Sequence, residues 1–281
     1  MKIDRAFIRL SPVLLAATMA FTFSNVVDAG IMGFGNFSGF QINQVDSAAA
    51  PVISLSPSEI HLTGTTSNSE DRSIFDRTVQ STSQFTASFT YQATGIADGE
   101  SGFAFVLQNS GAGSGATGSG FLIDSGGFGG LGYFGISPSA AVEFPLATPF
   151  ASGVFTNGNI GAGTDSLSPV NLVSGDPINV VITYDGTFLR ETLTDTVTGQ
   201  SSATGLHLIS LPATAYVGIT AATDGGQDQL FSNFEFTNAA VPEPSSLALL
   251  GTGAGALCLV WRRTKRRALA NIGELKPPVA T

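Results

Sequence analysis

The sequence predicts an all-β sandwich, and three observations lead there. In QFTASFTYQ (Gln84–Gln92), Phe85, Ala87, Phe89 and Tyr91 alternate with Thr86, Ser88 and Thr90, the period of a strand with one buried and one wet face. FAFVLQ (Phe103–Gln108) is apolar on both faces and reads as a central strand. No amphipathic helical run of useful length interrupts these segments, and 34 glycines in 281 residues supply turns between them.

The remaining strands follow in order. Phe40 and Ile42 alternate in FQIN. INVVITYDG (Ile178–Gly186) alternates and ends in an Asp-Gly turn, so FLRETLTDTVTG (Phe188–Gly199) is its hairpin partner. AYVGITAAT (Ala215–Thr223) and LFSNFEFT (Leu230–Thr237) close the domain. SGAGSGATGSG (Ser110–Gly120) is low in complexity and is expected to be a flexible loop. Its GSGATG string has glycines at dinucleotide-motif spacing, but no helix starts there, so a nucleotide site is rejected.

Both ends differ from this β region. Residues 1–29 read as a secretory signal, with Lys2, Arg5 and Arg9 before the apolar run Leu10–Phe23 and a cleavage signal at Val27-Asp28-Ala29. An uncleaved anchor is the alternative. Residues 241–267 hold Pro242, Glu243 and Pro244, then the apolar run Ser246–Trp261, then Arg262, Arg263, Lys265, Arg266 and Arg267. The run reads as a single transmembrane helix with a basic stop-transfer cluster on the cytoplasmic side. A polar, proline-containing tail occupies 268–281. The domain lies between, at residues 30–240.

Charge excludes one class of partner. Residues 30–240 carry 3 arginines, no lysine and 17 acids, a net charge near −14. A phosphate backbone would be repelled, so nucleic acid is not a partner. Sugars, cations and basic surfaces stay open, as does a simple solubility role. The single cysteine, Cys258, lies in the C-terminal apolar run, so the domain has neither a disulfide nor a thiolate metal site.

Catalytic chemistry finds no support. His61 and His207 are the only histidines, each on a strand-like segment, and no G-x-S-x-G is present. Glu143 has no second acid within two or four residues, so the paired carboxylates of glycoside hydrolysis are not indicated. We assign no catalytic residue and expect no enzyme.

The order Val241-Pro242-Glu243-Pro244, apolar run, basic cluster resembles the PEP-CTERM sorting signal of Gram-negative bacteria. That resemblance implies recognition by an exosortase-type processing enzyme. It also implies an inner-membrane intermediate with the domain facing outward, a final place at the cell surface or matrix, and a link to exopolysaccharide and biofilm. The family usually ends soon after its basic cluster, whereas Ala268–Thr281 follows here.

Residues 30–240 resemble the legume-type (L-type) lectins. The matching blocks are GFGNFSGFQIN, RSIFDRTVQSTSQFTASFTYQ, ADGESGFAFVLQN, GGLGYFGISPSAAVEF, INVVITYDGT and YVGITAATDG followed by FSNFEFT, all in the family's order. The resemblance implies a concanavalin-like jelly-roll sandwich that binds glycans and shapes its site with Ca²⁺ and a transition metal. Sugar hydroxyls need fixed acceptors and donors on a rigid rim. The carried-over candidates are Asp98 or Ser101 for the family's aspartate, Gly129 for its donor glycine, Asp224 on a rim loop, and Asn157 and Asn159 as amide donors. Glu143 matches the metal-binding glutamate of the V-E-F-D strand, but Pro145 replaces the aspartate. A dinuclear site of the family type is therefore not expected. A lone Ca²⁺ held by loop oxygens stays open, and no cofactor is assigned. Two readings result: an exported, surface-sorted protein that binds extracellular or matrix polysaccharide, or a structural surface protein on a lectin fold that has lost metal-dependent sugar binding.

Overall fold

The computed structural model describes residues 30–45, 52–54, 58–65, 70–95, 101–119, 129–146 and 150–238. The expected signal segment, sorting motif, transmembrane helix and polar tail lie outside them. In chain order the strands are β1 (Ile31–Met32), β2 (Phe40–Val45), β3 (Val52–Ser54), β4 (Glu59–Thr63), β5 (Glu70–Ser81) and β6 (Phe85–Gly95). Then come β7 (Gly102–Gln108), β8 (Ser139–Pro145), β9 (Ala151–Thr156), β10 (Asp165–Ser166), β11 (Ile178–Tyr184) and β12 (Phe188–Asp195). Last are β13 (Ser201–Ala203), β14 (His207–Leu208), β15 (Thr214–Thr223) and β16 (Gln227–Asn238).

They form two antiparallel sheets. A nine-stranded sheet runs β13-β12-β11-β6-β16-β4-β3, with β1 added to β16 and β14 to β12. A seven-stranded sheet runs β10-β9-β8-β7-β15-β5-β2. The predicted hairpin forms as read: β11 pairs with β12, and the Asp185 carboxylate accepts from the N–H groups of Thr187 and Phe188.

The core is aromatic and lies between the sheets. In β6 the residues Phe85, Ala87, Phe89, Tyr91 and Ala93 are buried, as the period-two pattern requires. Phe103 of β7 sits among them, its ring centroid 4.3 Å from Tyr91, 4.7 Å from Phe144 and 5.4 Å from Phe231. Phe105, Leu107, Val217 and Ile219 extend the same layer. Burying such rings outweighs the rotamer entropy that they lose.

The seven-stranded sheet is buried on its other face too. Every residue of β7 is buried, and Ala104 and Val106 join a second cluster with Phe75, Ala116, Leu131, Tyr133, Ile136 and Ala141. The chain around 110–119 and 129–136 covers this face. Here the expectation of a flexible loop is corrected. Ser110–Ser119 is pinned by Ser73 Oγ to the Ala116 carbonyl (2.6 Å), Asn43 Nδ2 to Ser114 O (2.8 Å) and Gln108 Nε2 to Gly113 O (2.7 Å). A 3₁₀ turn, Gly113–Gly115, forms in it, and Ser119 makes an isolated antiparallel bridge to Phe134. Glycine is needed for contact: a Cβ on Gly118 would stand 2.4 Å from the Tyr133 carbonyl carbon.

Phe103 joins both sheets through one ring. Phe103→Ala is expected to cost about 3–5 kcal/mol of stability. Urea unfolding followed by near-ultraviolet circular dichroism checks this, with Phe188→Ala, a half-exposed ring, as the mild control.

Candidate functional site

Strand register fixes which candidates can meet. Gly102 of β7 lies opposite Pro145 of β8 and beside Ala222 of β15, so these three strands end together. Ser101 precedes β7 and is buried. Its hydroxyl shares a 2.9 Å hydrogen bond with Thr223 Oγ1, and its carbonyl accepts from Leu146 N at 2.9 Å. Thr223 Oγ1 also accepts from Gln227 N at 3.1 Å, which closes the turn that carries the exposed Asp224. Gly129 is buried two residues before Leu131, whose side chain packs directly over Gly102. Ser101, Gly129 and Asp224 therefore belong to one end of the seven-stranded sheet. Asp98 lies outside the described residues.

This end stands on a buried polar base. Arg72 and Glu70 of β5 are fully buried and paired at 2.6 Å. Arg72 also donates to the Leu62 carbonyl of β4, so it ties one sheet to the other. Glu70 accepts from Gly64 N at 2.7 Å, Thr63 Oγ1 donates to Gln227 O at 2.6 Å, and Gln229 Nε2 donates to Ala222 O at 2.7 Å. A buried pair broken on one side costs about 3–5 kcal/mol, so this base is rigid by necessity. Sequence reading missed it. The available signal was Arg72, one of three basic residues in the domain, two positions from a glutamate on the same strand face.

The asparagines lie elsewhere. Asn157 follows β9 in a left-handed conformation (φ 59°), a region that asparagine tolerates. Its N–H donates to Ser139 O at 2.9 Å, and its side chain lines a cavity of about 270 Å³ with Gln108, Asn109, Pro138 and Ser210. Ser139 opposes Gln108 at the far end of the β7–β8 ladder from Gly102 and Pro145, six residue steps or about 20 Å away. Asn159 Nδ2 donates to Thr156 O at 2.7 Å and closes its own turn.

Glu143 sits between these ends. It faces the covered side of the sheet, opposite Ala104 and Gly153, and is fully buried. Oε2 accepts from Gly161 N at 3.2 Å, while Oε1 has no hydrogen-bond partner. Burial raises its pKa from 4.5 to about 8, against the lowering effect of the Gly161 N–H.

A two-sheet sandwich with this strand order, covered on one sheet face by its own loops, is the legume-lectin fold. Solved structures of that class match over most of the chain. Lectin II from Ulex europaeus has a TM-score of 0.57 at 18% identity, covering 73% of this chain and 97% of its own. Basic winged bean lectin with Tn-antigen has a TM-score of 0.55 at 18% identity, covering 74% and 97%. Lectin I-B4 from Griffonia simplicifolia, in a metal-free form, has a TM-score of 0.52 at 21% identity, covering 78% and 97%. No curated protein matches the chain in sequence. Residues 240–267 match the PEP-CTERM protein-sorting motif, which indicates export and a membrane-anchored sorting signal.

The fold family implies metals beside the glutamate, and the residues here do not fit them. The strand partners of Glu143 are Ala104 and Gly153, Pro145 stands two residues further along its own strand, and no group of three metal-ligating side chains among the described residues includes it. A buried carboxyl without cationic company is better off protonated. The folded chain therefore holds a proton between about pH 4.5 and 8 that the unfolded chain has released, and stability falls as pH rises through that window. Glu143→Gln is expected to melt like the parent near pH 4.5 and well above it at pH 9. Thermal melts at the two pH values check this; a difference independent of pH contradicts it.

Proposed function

We propose that this chain is an exported, surface-sorted glycan-binding protein whose site is the Gly102–Pro145 end of the seven-stranded sheet. One observation carries the reading. Ser101 and the Asp224 turn share the Thr223 hydroxyl, above a fully buried polar base, at one end of a lectin fold. Hydroxyl-rich ligands need acceptors held still before they arrive, and this base holds them. Asp224 is the exposed acceptor. Asp98 supplies the second, and Gly129 a backbone donor. Asn157 and Asn159, about 20 Å away along the strands, contact only an extended chain. The ligand class is extracellular or matrix polysaccharide. The domain is expected to act on no bond.

Sorting completes the reading. The motif at 240–267 brings the chain to an exosortase-type enzyme at the membrane, with the domain facing outward, before release to the surface or matrix. A structural matrix role without sugar binding is the second reading. It is favoured by Pro145, paired with Gly102 where the family places a carboxylate, and by the solitary Glu143.

A glycan array with and without EDTA separates the two. Binding is expected to survive EDTA, because no metal-ligating group forms around Glu143 among the described residues. Asp98→Ala and Asp224→Ala are each expected to weaken it by roughly tenfold or more, the loss of charge-assisted hydrogen bonds worth about 1.5–3 kcal/mol. Binding to no sugar supports the structural reading.

A further inference from the structure

The inward row of β12 contains an anomaly. Leu189, Glu191 and Leu193 alternate towards the space between the sheets, and all three are buried. A carboxylate thus stands where the pattern places an aliphatic side chain. Arg72 and Glu70 solve the same problem at the other side of the sandwich by pairing with each other. Glu191 has no such solution: among the described residues no lysine or arginine makes an ion pair with it. Ser152 of β9 donates to Oε1, and Oε2 has no hydrogen-bond partner although it is buried.

Two further ligand-type side chains converge on it. Asp165 of β10 and His207 of β14 are hydrogen-bonded to one another through Oδ2 and Nε2. One ligand atom from each of Asp165, Glu191 and His207 lies within 4.8 Å of the other two. The three come from three strands and both sheets: Asp165 from the edge of the seven-stranded sheet, Glu191 and His207 from the nine-stranded sheet. Asp165 and His207 are about one-fifth exposed, so the cluster opens to solvent on that side only.

We propose that Asp165, Glu191 and His207 form a site for one divalent transition-metal ion, of the Zn²⁺ or Mn²⁺ class, that clips the two sheets together along their β10–β12 flank. The ligand chemistry selects this class. One imidazole nitrogen and two carboxylates suit zinc or manganese, while Ca²⁺ and Mg²⁺ take oxygen ligands. Bonds of about 2.0–2.2 Å place tetrahedral ligand atoms roughly 3.3–3.5 Å apart. The cluster reaches that spacing by parting the Asp165–His207 pair slightly and drawing Glu191 inward. Two carboxylates and a neutral imidazole balance the ion's charge, and the buried Glu191 carboxylate gains a cationic partner. The fourth position faces solvent. The site differs from the Glu143 position, which lies on the outer, loop-covered face of the seven-stranded sheet. The other histidine, His61, pairs with Asp228 at 2.9 Å, and Asp228 in turn accepts from Thr94 Oγ1; no third ligand-type side chain joins them among the described residues.

The test uses the full-length chain in detergent, stripped with EDTA and dialysed. Calorimetric titration with ZnCl₂ is expected to give one ion per chain, with far weaker uptake of CaCl₂. Saturating Zn²⁺ at a hundredfold excess over Kd is expected to raise Tm by roughly 5 °C or more. Co²⁺ is expected to give visible d–d absorption. Glu191→Gln and His207→Ala should each weaken Zn²⁺ by more than about 100-fold, the upper end of what loss of an outer hydrogen-bond partner costs. His61→Ala should leave binding unchanged. Where Glu191→Gln fails to fold, Asp165→Asn, on the solvent side, makes the same test. The proposal is overturned if the stripped protein takes up no Zn²⁺ or Co²⁺, if it prefers Ca²⁺, or if Zn²⁺ binding survives the changes at 191, 207 or 165 or is lost in His61→Ala.

Discussion

Burial of the seven-stranded sheet on both faces is the constraint from which the rest of the structure follows. One face meets the aromatic layer of Phe89, Tyr91, Phe103 and Phe231. The other is roofed by the protein's own glycine-rich loops. Beneath the roof Ala104, Ala141 and Gly153 leave room for it, and Phe75 and Val106 fill the rest of the space. At Gly218 the neighbouring strand β5, and not the roof, demands glycine: a Cβ there would stand 2.0 Å from the Ile74 carbonyl oxygen. Each loop needs hydrogen bonds of its own because water is excluded below it. Ser73, Asn43 and Gln108 supply them from the sheet. The same exclusion of water keeps Glu143 protonated into the neutral range.

Most of the sandwich was legible in the sequence because its signals are local. Alternation in β6, two-sided apolarity in β7 and the Asp-Gly turn after β11 each depend on a few neighbouring residues. The loop at 110–119 was not legible for the opposite reason. Its composition is that of a linker, and its order comes from partners up to 73 positions away in sequence, as with Ser114 Oγ and Gln41. The candidate site divides in the same way. Ser101 and Asp224 are joined through Thr223, a residue that no motif marked. Asn157 was grouped with them by resemblance, and strand register sets it at the other end of the ladder.

The flank at β10–β12 lay between these cases. The row Leu189, Glu191, Leu193 is readable as an alternation with an acid in an apolar place. Its companions could not be found by spacing, since Asp165 and His207 are 42 positions apart and lie on strands of two residues each. A buried charge in a regular pattern is informative because it costs free energy that an aliphatic side chain would not. At Arg72–Glu70 that cost is offset by pairing and by backbone acceptors on the opposite sheet.

These buried groups bear on how the domain would recognise a ligand. In the fold family a metal fixes the loop that presents the polar contacts. Here the corresponding strand end carries Pro145, and the loops at Ser101 and Asp224 are held by hydroxyl and backbone hydrogen bonds over the Arg72–Glu70 base. That substitution exchanges an ion, which can be removed, for a network that is lost only when the sheets separate. The acidic character of residues 30–240 bears on recognition as well. It repels polyanions in general, so under the proposed function a neutral sugar polymer would be recognised by the placement of acceptors and not by bulk charge. Affinity in such a site would rest on how little those acceptors move, and the doubly buried sheet beneath them limits that movement.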